Sequence, residues 1–253
     1  MRKLSSVILI AILVMASSAL SRLLAQQDWA SKPFEQWTKS DAEAVLNNSK
    51  WTSHQEIRLR FDRDIQAAAG SANIVSSPGV EVDPDLPVDF IFLLRLRSAL
   101  PIRQALVRLR QLDAHQKMSQ KDQLSFDAQT KGMLECPACA ANYVVTLSSK
   151  STNRPGADAV YAVFKGGRLA DLQRYIYIAN ENGNRRQLVH FVPPKAPGDE
   201  AVFFFPRLDD KGAPLLTVAN RTLLVNLSDK QATSMGTFKI DVVNLIVNDK
   251  VEF

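Results

Sequence analysis

Residues 175–192, YIYIANENGNRRQLVHFV, decide the fold class. Two runs rich in strand-forming residues, 175–178 and 188–192, flank Asn182-Gly183. That dipeptide favours a tight hairpin because both residues accept the positive φ that such a turn requires. A second pair of runs, 201–205 (AVFFF) and 215–218, flanks Asp210-Lys211-Gly212 in the same way. Further strand-like runs lie at 143–147 (YVVTL), 222–227, 238–243 and 245–247, and 251–253 can pair back through Asn248-Asp249. Short strands separated by turn residues point to an antiparallel β-sandwich or open barrel. Helices do not alternate with these strands, which argues against a doubly wound parallel sheet.

Outward from this half the chain becomes mixed. Residues 88–96 (VDFIFLLRL) read as a strongly apolar strand, and 55–61 (QEIRLRF) alternate as a half-buried one, with Ile57, Leu59 and Phe61 facing inward. Between them, residues 67–87 are rich in Ala, Gly, Ser and Pro and read as a mobile surface loop. Pro101 suits the first turn of a helix, where its missing N–H costs nothing, and Ile102, Ala105, Leu106, Leu109 and Leu112 recur at helical spacing. Residues 98–134 are therefore expected to form a helical insertion. An N-terminal helix is expected from Ser40-Asp41-Ala42-Glu43, a capping-box pattern, with Ala42, Val45 and Leu46 as its apolar face. Trp37 and Trp51 flank it and are expected to clamp it to the body of the protein. The expected class is mainly β with helical additions.

The N-terminus alters the charge balance. Arg2 and Lys3 precede an unbroken apolar run over 7–16, followed by Ser17, Ser18 and Ala19. These are the three regions of a secretory signal, with cleavage expected after Ala25. The apolar stretch is short for a spanning helix, which needs about 20 apolar residues. The full chain has 253 residues and a net charge of +5. Residues 1–25 hold three basic residues and no acid, which leaves 28 basic against 26 acidic residues over 26–253. The expectation is a β-rich domain over 26–253, near neutral, secreted or periplasmic, with no membrane span after cleavage. The small residual charge removes most of the case for a nucleic-acid partner.

Cys136-Pro137-Ala138-Cys139 contains the only two cysteines. Three readings compete. The first is a local disulfide, favoured by an oxidising compartment. The second is a thiol-disulfide redox pair, which prefers the first Cys at a helix N-terminus after a strand, an order reversed here. The third is a metal site, for which His54, His115 and His190 are scattered singly rather than paired. A second feature is the run Arg95, Arg97, Arg103, Arg108 and Arg110. It reads first as a solvated strand edge and the polar side of an amphipathic helix. Arg103, Arg108 and Arg110 remain a face for an anionic partner. His190 reads as a packed or edge residue, His54 and His115 as surface residues, and Lys165-Gly166-Gly167-Arg168 as a turn. No serine-hydrolase, zinc-protease, phosphate-loop or cofactor-binding pattern occurs.

Trp37-Thr38-x-x-Asp41-Ala42-x-x-x-Leu46-x-x-Ser49-x-Trp51 resembles the opening of a family of uncharacterised secreted bacterial proteins. Ser98-Ala99-x-Pro101-Ile102-Arg103-x-Ala105 and Phe204-Phe205-Pro206-Arg207 extend the resemblance. It implies a secreted protein and carries no catalytic residue over. The functional expectation is a non-catalytic binding or structural protein at the cell envelope, whose partner is an envelope protein or a ligand. The alternative is redox chemistry at Cys136 and Cys139. No cofactor is called for, and nothing in the sequence points to a particular oligomeric state.

Overall fold

Trp37 sets where the first helix begins. Its ring is buried, and its Nε1 donates to the carbonyls of Trp29 and Lys32 at 2.9 and 3.2 Å. The next residue, Thr38, becomes the cap of α1 (Lys39–Asn48). Thr38 Oγ1 accepts from Asp41 N, and Asp41 Oδ2 accepts from Thr38 N at 2.9 Å. The capping box thus lies two residues before the expected Ser40–Glu43 pattern. The chain must turn where the buried indole holds it, and Asp41 is the residue within reach of Thr38. The expected face is buried: Ala42, Val45 and Leu46. Trp51 is buried too, its Nε1 donating to the Glu252 carbonyl at 3.0 Å.

This computed structural model describes residues 28–59, 87–114, 119–228, 234–247 and 250–253. The secretory-signal expectation, the 67–86 part of the expected mobile loop, and His115 fall outside those residues. The strands are β1 (Thr52–Leu59), β2 (Val88–Leu96), β3 (Asn142–Ser151), β4 (Tyr177–Asn180), β5 (Arg185–Gln187), β6 (His190–Val192), β7 (Ala201–Pro206), β8 (Thr222–Ser228) and β9 (Ser234–Asp241). Two antiparallel sheets result, one in the order β1-β2-β3-β7-β6 and one in the order β5-β4-β8-β9. Both are open sheets, and neither closes into a barrel. A short hairpin, β10 (Ile246–Val247) with β11 (Lys250–Val251), forms at the C-terminal end, where 251–253 is expected to pair back; the expected turn residues Asn248 and Asp249 lie outside the described residues.

One hydrophobic cluster draws on both sheets. Phe90, Phe92, Leu94, Phe203 and Phe205 enter it from the first, and Ile178, Leu223, Val225 and Phe238 from the second. The edges also touch: Ser53 Oγ on β1 donates to the Lys239 carbonyl on β9 at 3.1 Å. The Asn182-Gly183 hairpin forms, with Gly183 at φ +81°. Its second strand is Arg185–Gln187, however, and not the expected 188–192. After Gln187 the chain crosses to the other sheet, where His190–Val192 pairs with β7. The buried Leu188 occupies that corner. The Asp210-Lys211-Gly212 turn also forms, but only a single Leu208–Pro214 bridge follows it. Leu215 and Leu216 go into the core as irregular chain rather than as a strand.

The helical insertion comprises α2 (Leu100–Ala114) and α3 (Gln120–Glu135), joined directly to α4 (Pro137–Ala141). Two short helices, α5 (Ala159–Phe164) and α6 (Leu169–Leu172), had no counterpart in the sequence reading. Residues AVYAVF of α5 have strand-like composition. Asp158 turns them into a helix by accepting from Tyr161 N at 3.0 Å, and five of the six side chains are then buried. Lys165-Gly166-Gly167-Arg168 is the turn between these helices, as expected of it. A Cβ on Gly167 would stand 3.1 Å from both Leu172 and Phe191.

Candidate functional site

Strand β7 is apolar on both faces. Ala201, Phe203 and Phe205 point into the core, while Val202 and Phe204 point the other way and are half-buried. On that outer face Val144 of β3 lies opposite Phe204, and Val192 of β6 lies opposite Val202. Helices α2, α3 and α4 face this apolar surface and leave a cavity of about 580 Å³. Leu106 of α2 and Met133 of α3 complete its apolar wall. Such a volume lies within the range of small-molecule sites.

Three arginines line the same cavity: Arg97, Arg103 and Arg110. Arg97 lies 4.0 Å from Glu200, a carboxylate that also pairs with Arg95. Arg103 donates from Nη1 to the Ser98 carbonyl at 2.8 Å. Its Nε is buried and has no acceptor among the described residues. Burial lowers the Arg103 pKa and the Glu252 carboxylate opposes that shift. An arginine guanidinium keeps its charge in a protein. Arg110 is exposed at the cavity and forms no ion pair with a described residue.

The basic run is therefore not one solvated face. Arg95 is largely buried and ties the sheet to α1, donating from Nε to the Leu46 carbonyl at 2.7 Å and from Nη2 to Asn47 Oδ1 at 3.0 Å. Arg108 donates from Nε to the Trp37 carbonyl at 2.6 Å and does not line the cavity. Of the expected anionic-partner residues, Arg103 and Arg110 come together and Arg108 does not. Arg97, which stood outside that set, joins them. The helical period brings residues seven apart onto one side of α2, so 103 and 110 share a face that 108 does not.

Cys136 and Cys139 form a disulfide. Cys136 ends α3 and starts α4, with its amide donating to the Gly132 carbonyl at 3.0 Å. It has φ +41°, the only positive φ on a residue other than glycine among those described. Cys136 is half-buried in the cavity wall, whereas Cys139 is buried. His190 lies on the edge strand β6, its ring 4.9 Å from that of Phe204, and His54 is exposed on β1. Among the described residues no group of His, Cys, Asp or Glu is placed to hold a metal ion, and no helix is long and apolar enough to cross a membrane.

One signal for the cavity was present in the sequence. A strand reading AVFFFP has apolar side chains on both faces, and such a strand needs cover on both. No protein-family model, curated protein or solved structure matches the chain.

Proposed function

We propose that the protein is a non-catalytic binding protein that works outside the cytoplasm, with its ligand seated in the cavity between α2–α4 and the outer face of β3, β7 and β6. The observation that carries this reading is the apolar cavity of about 580 Å³ with guanidinium groups at its wall. Convergent polar groups in a mainly apolar concavity are what a binding site requires. The apolar run at 7–16 after Arg2 and Lys3 supports export, as does the resemblance at residues 37–51. The test is native mass spectrometry of residues 26–253 after exposure to an envelope extract. The expected result is a small-molecule adduct that Val202→Asp abolishes. A chain that retains nothing, or an adduct indifferent to Val202→Asp, overturns the reading. Fractionation of the full chain tests export: the expected product is a shortened chain outside the cytoplasm.

A second reading has its own observation, the half-buried Cys136 facing the arginine-lined cavity with Cys139 buried behind it. A dithiol partner would attack Cys136 Sγ, breaking the disulfide with Cys139 leaving as thiolate. The partner's second thiolate would then release Cys136, so the partner ends as a disulfide and the pair as two thiols. Measurement of the pair's reduction potential and of the Cys136 thiolate pKa decides this reading. A strongly reducing pair with an ordinary thiol pKa removes it.

A further inference from the structure

We infer that the ligand of this cavity is a single-chain amphiphile with one anionic head, of the alkyl carboxylate class. The inference rests on the binding reading above and specifies its chemistry. Two properties of the cavity argue for it together. Its floor is made by Val144, Val192, Val202 and Phe204, which bring no polar side-chain atom to the ligand. Its polar groups are chiefly cationic: Arg97, Arg103 and Arg110 stand there, against Glu200, which is shared between Arg97 and Arg95, and Glu252, whose charge is felt by Arg103 from outside the lining. Neither Arg103 nor Arg110 forms a direct ion pair with a described residue. A carboxylate is the acceptor group that a planar guanidinium binds best. A neutral amphiphile would leave those guanidinium groups without a counter-charge, and a small hydrophilic anion would leave the apolar floor in contact with water.

The experiment is calorimetric titration of residues 26–253 with three probes. Dodecanoate has both the body and the head. Dodecyl maltoside has the same body and no charge. Acetate has the head alone. Dodecanoate is expected to bind at one site, dodecyl maltoside about tenfold or more weakly, and acetate without detectable heat. Arg103→Gln and Arg110→Gln should each weaken dodecanoate about tenfold and leave dodecyl maltoside unchanged. Arg108→Gln, on the same helix but outside the cavity, should leave dodecanoate binding unchanged and controls for net charge. Circular dichroism of each variant verifies the fold. Equal affinity for the charged and neutral amphiphiles overturns the inference, as does dodecanoate binding that ignores Arg103 and Arg110. Co-flotation with phosphatidylglycerol vesicles without binding of monomeric dodecanoate overturns it in favour of a membrane surface. An uncharged adduct in the mass spectrum sinks this inference and leaves the binding reading standing, whereas no adduct sinks both.

Discussion

Glu181 shows how a fully exposed side chain can carry a pH dependence. Its carboxylate accepts from Arg221 N at 3.0 Å, from Thr222 N at 3.2 Å and from Asn220 Nδ2 at 3.2 Å. These donors, the Arg221 amide foremost, lower its pKa from 4.5 to about 2. The folded value lies below the unfolded one, so the stabilisation is present above about 4.5 and is lost as the pH falls towards 2. Glu181→Gln should therefore flatten the acid limb of the Tm profile across that window, and scanning calorimetry in buffers spanning it measures the effect. Arg207 is the second case. Its guanidinium lies 4.9 Å from the Tyr143 ring centroid and 4.6 Å from that of Phe253. It also donates to the carbonyls of Cys139 and Phe253 at 2.8 and 2.6 Å. Lysine has neither the planar stacking surface nor the forked donors. Arg207→Lys is expected to cost about 2 kcal/mol in urea unfolding. Neither role was legible in the sequence, because each depends on which distant carbonyl or amide the fold brings alongside.

At the scale of elements, local chemistry was legible wherever a residue acts on its own neighbours. The run read as a strongly apolar strand forms β2 over the same residues, Val88–Leu96. The Asn182-Gly183 turn forms for the same local reason. Capping is local too, but its position was misread because the anchor is Trp37, held by long-range packing. Thr38→Ala should cost about 1 kcal/mol, measured by chemical denaturation, whereas Ser40→Ala should cost little. The disulfide lies at the α3–α4 junction and joins cysteines three residues apart. So small a loop constrains the unfolded chain weakly, and replacing both cysteines with serine should cost about 2 kcal/mol while the fold persists. Far-UV circular dichroism with a thermal melt checks both statements. Helix α5 is the converse case. Its strand-like sequence is overruled by the Asp158 cap and by burial of nearly every side chain. Composition reports the propensity of a segment, and tertiary burial decides its use.

At the scale of the molecule, Phe203 stands where several elements meet. Its ring centroid lies 5.4 Å from that of Phe164 on α5 and 5.2 Å from that of Phe191 on β6, and it is fully buried. Phe203→Ala should cost about 3–5 kcal/mol in equilibrium unfolding, since the cavity it leaves is walled by a sheet and a helix that cannot both collapse. The opposite face of the same strand, carrying the neighbouring Val202 and Phe204, forms the candidate binding surface. By itself the sequence determined the antiparallel β class, the positions of the strong turns, the helical insertion and the close cysteine pair. Each of these follows from interactions between residues near in the chain, which periodicity and turn chemistry record directly. Only the tertiary structure decided that the chain changes sheets between Gln187 and His190, that Arg108 serves Trp37, and that Arg97, Arg103 and Arg110 share one apolar cavity with Cys136. Those outcomes depend on which faces of distant elements meet when both sides of β7 seek cover, and no local pattern in the chain encodes that meeting.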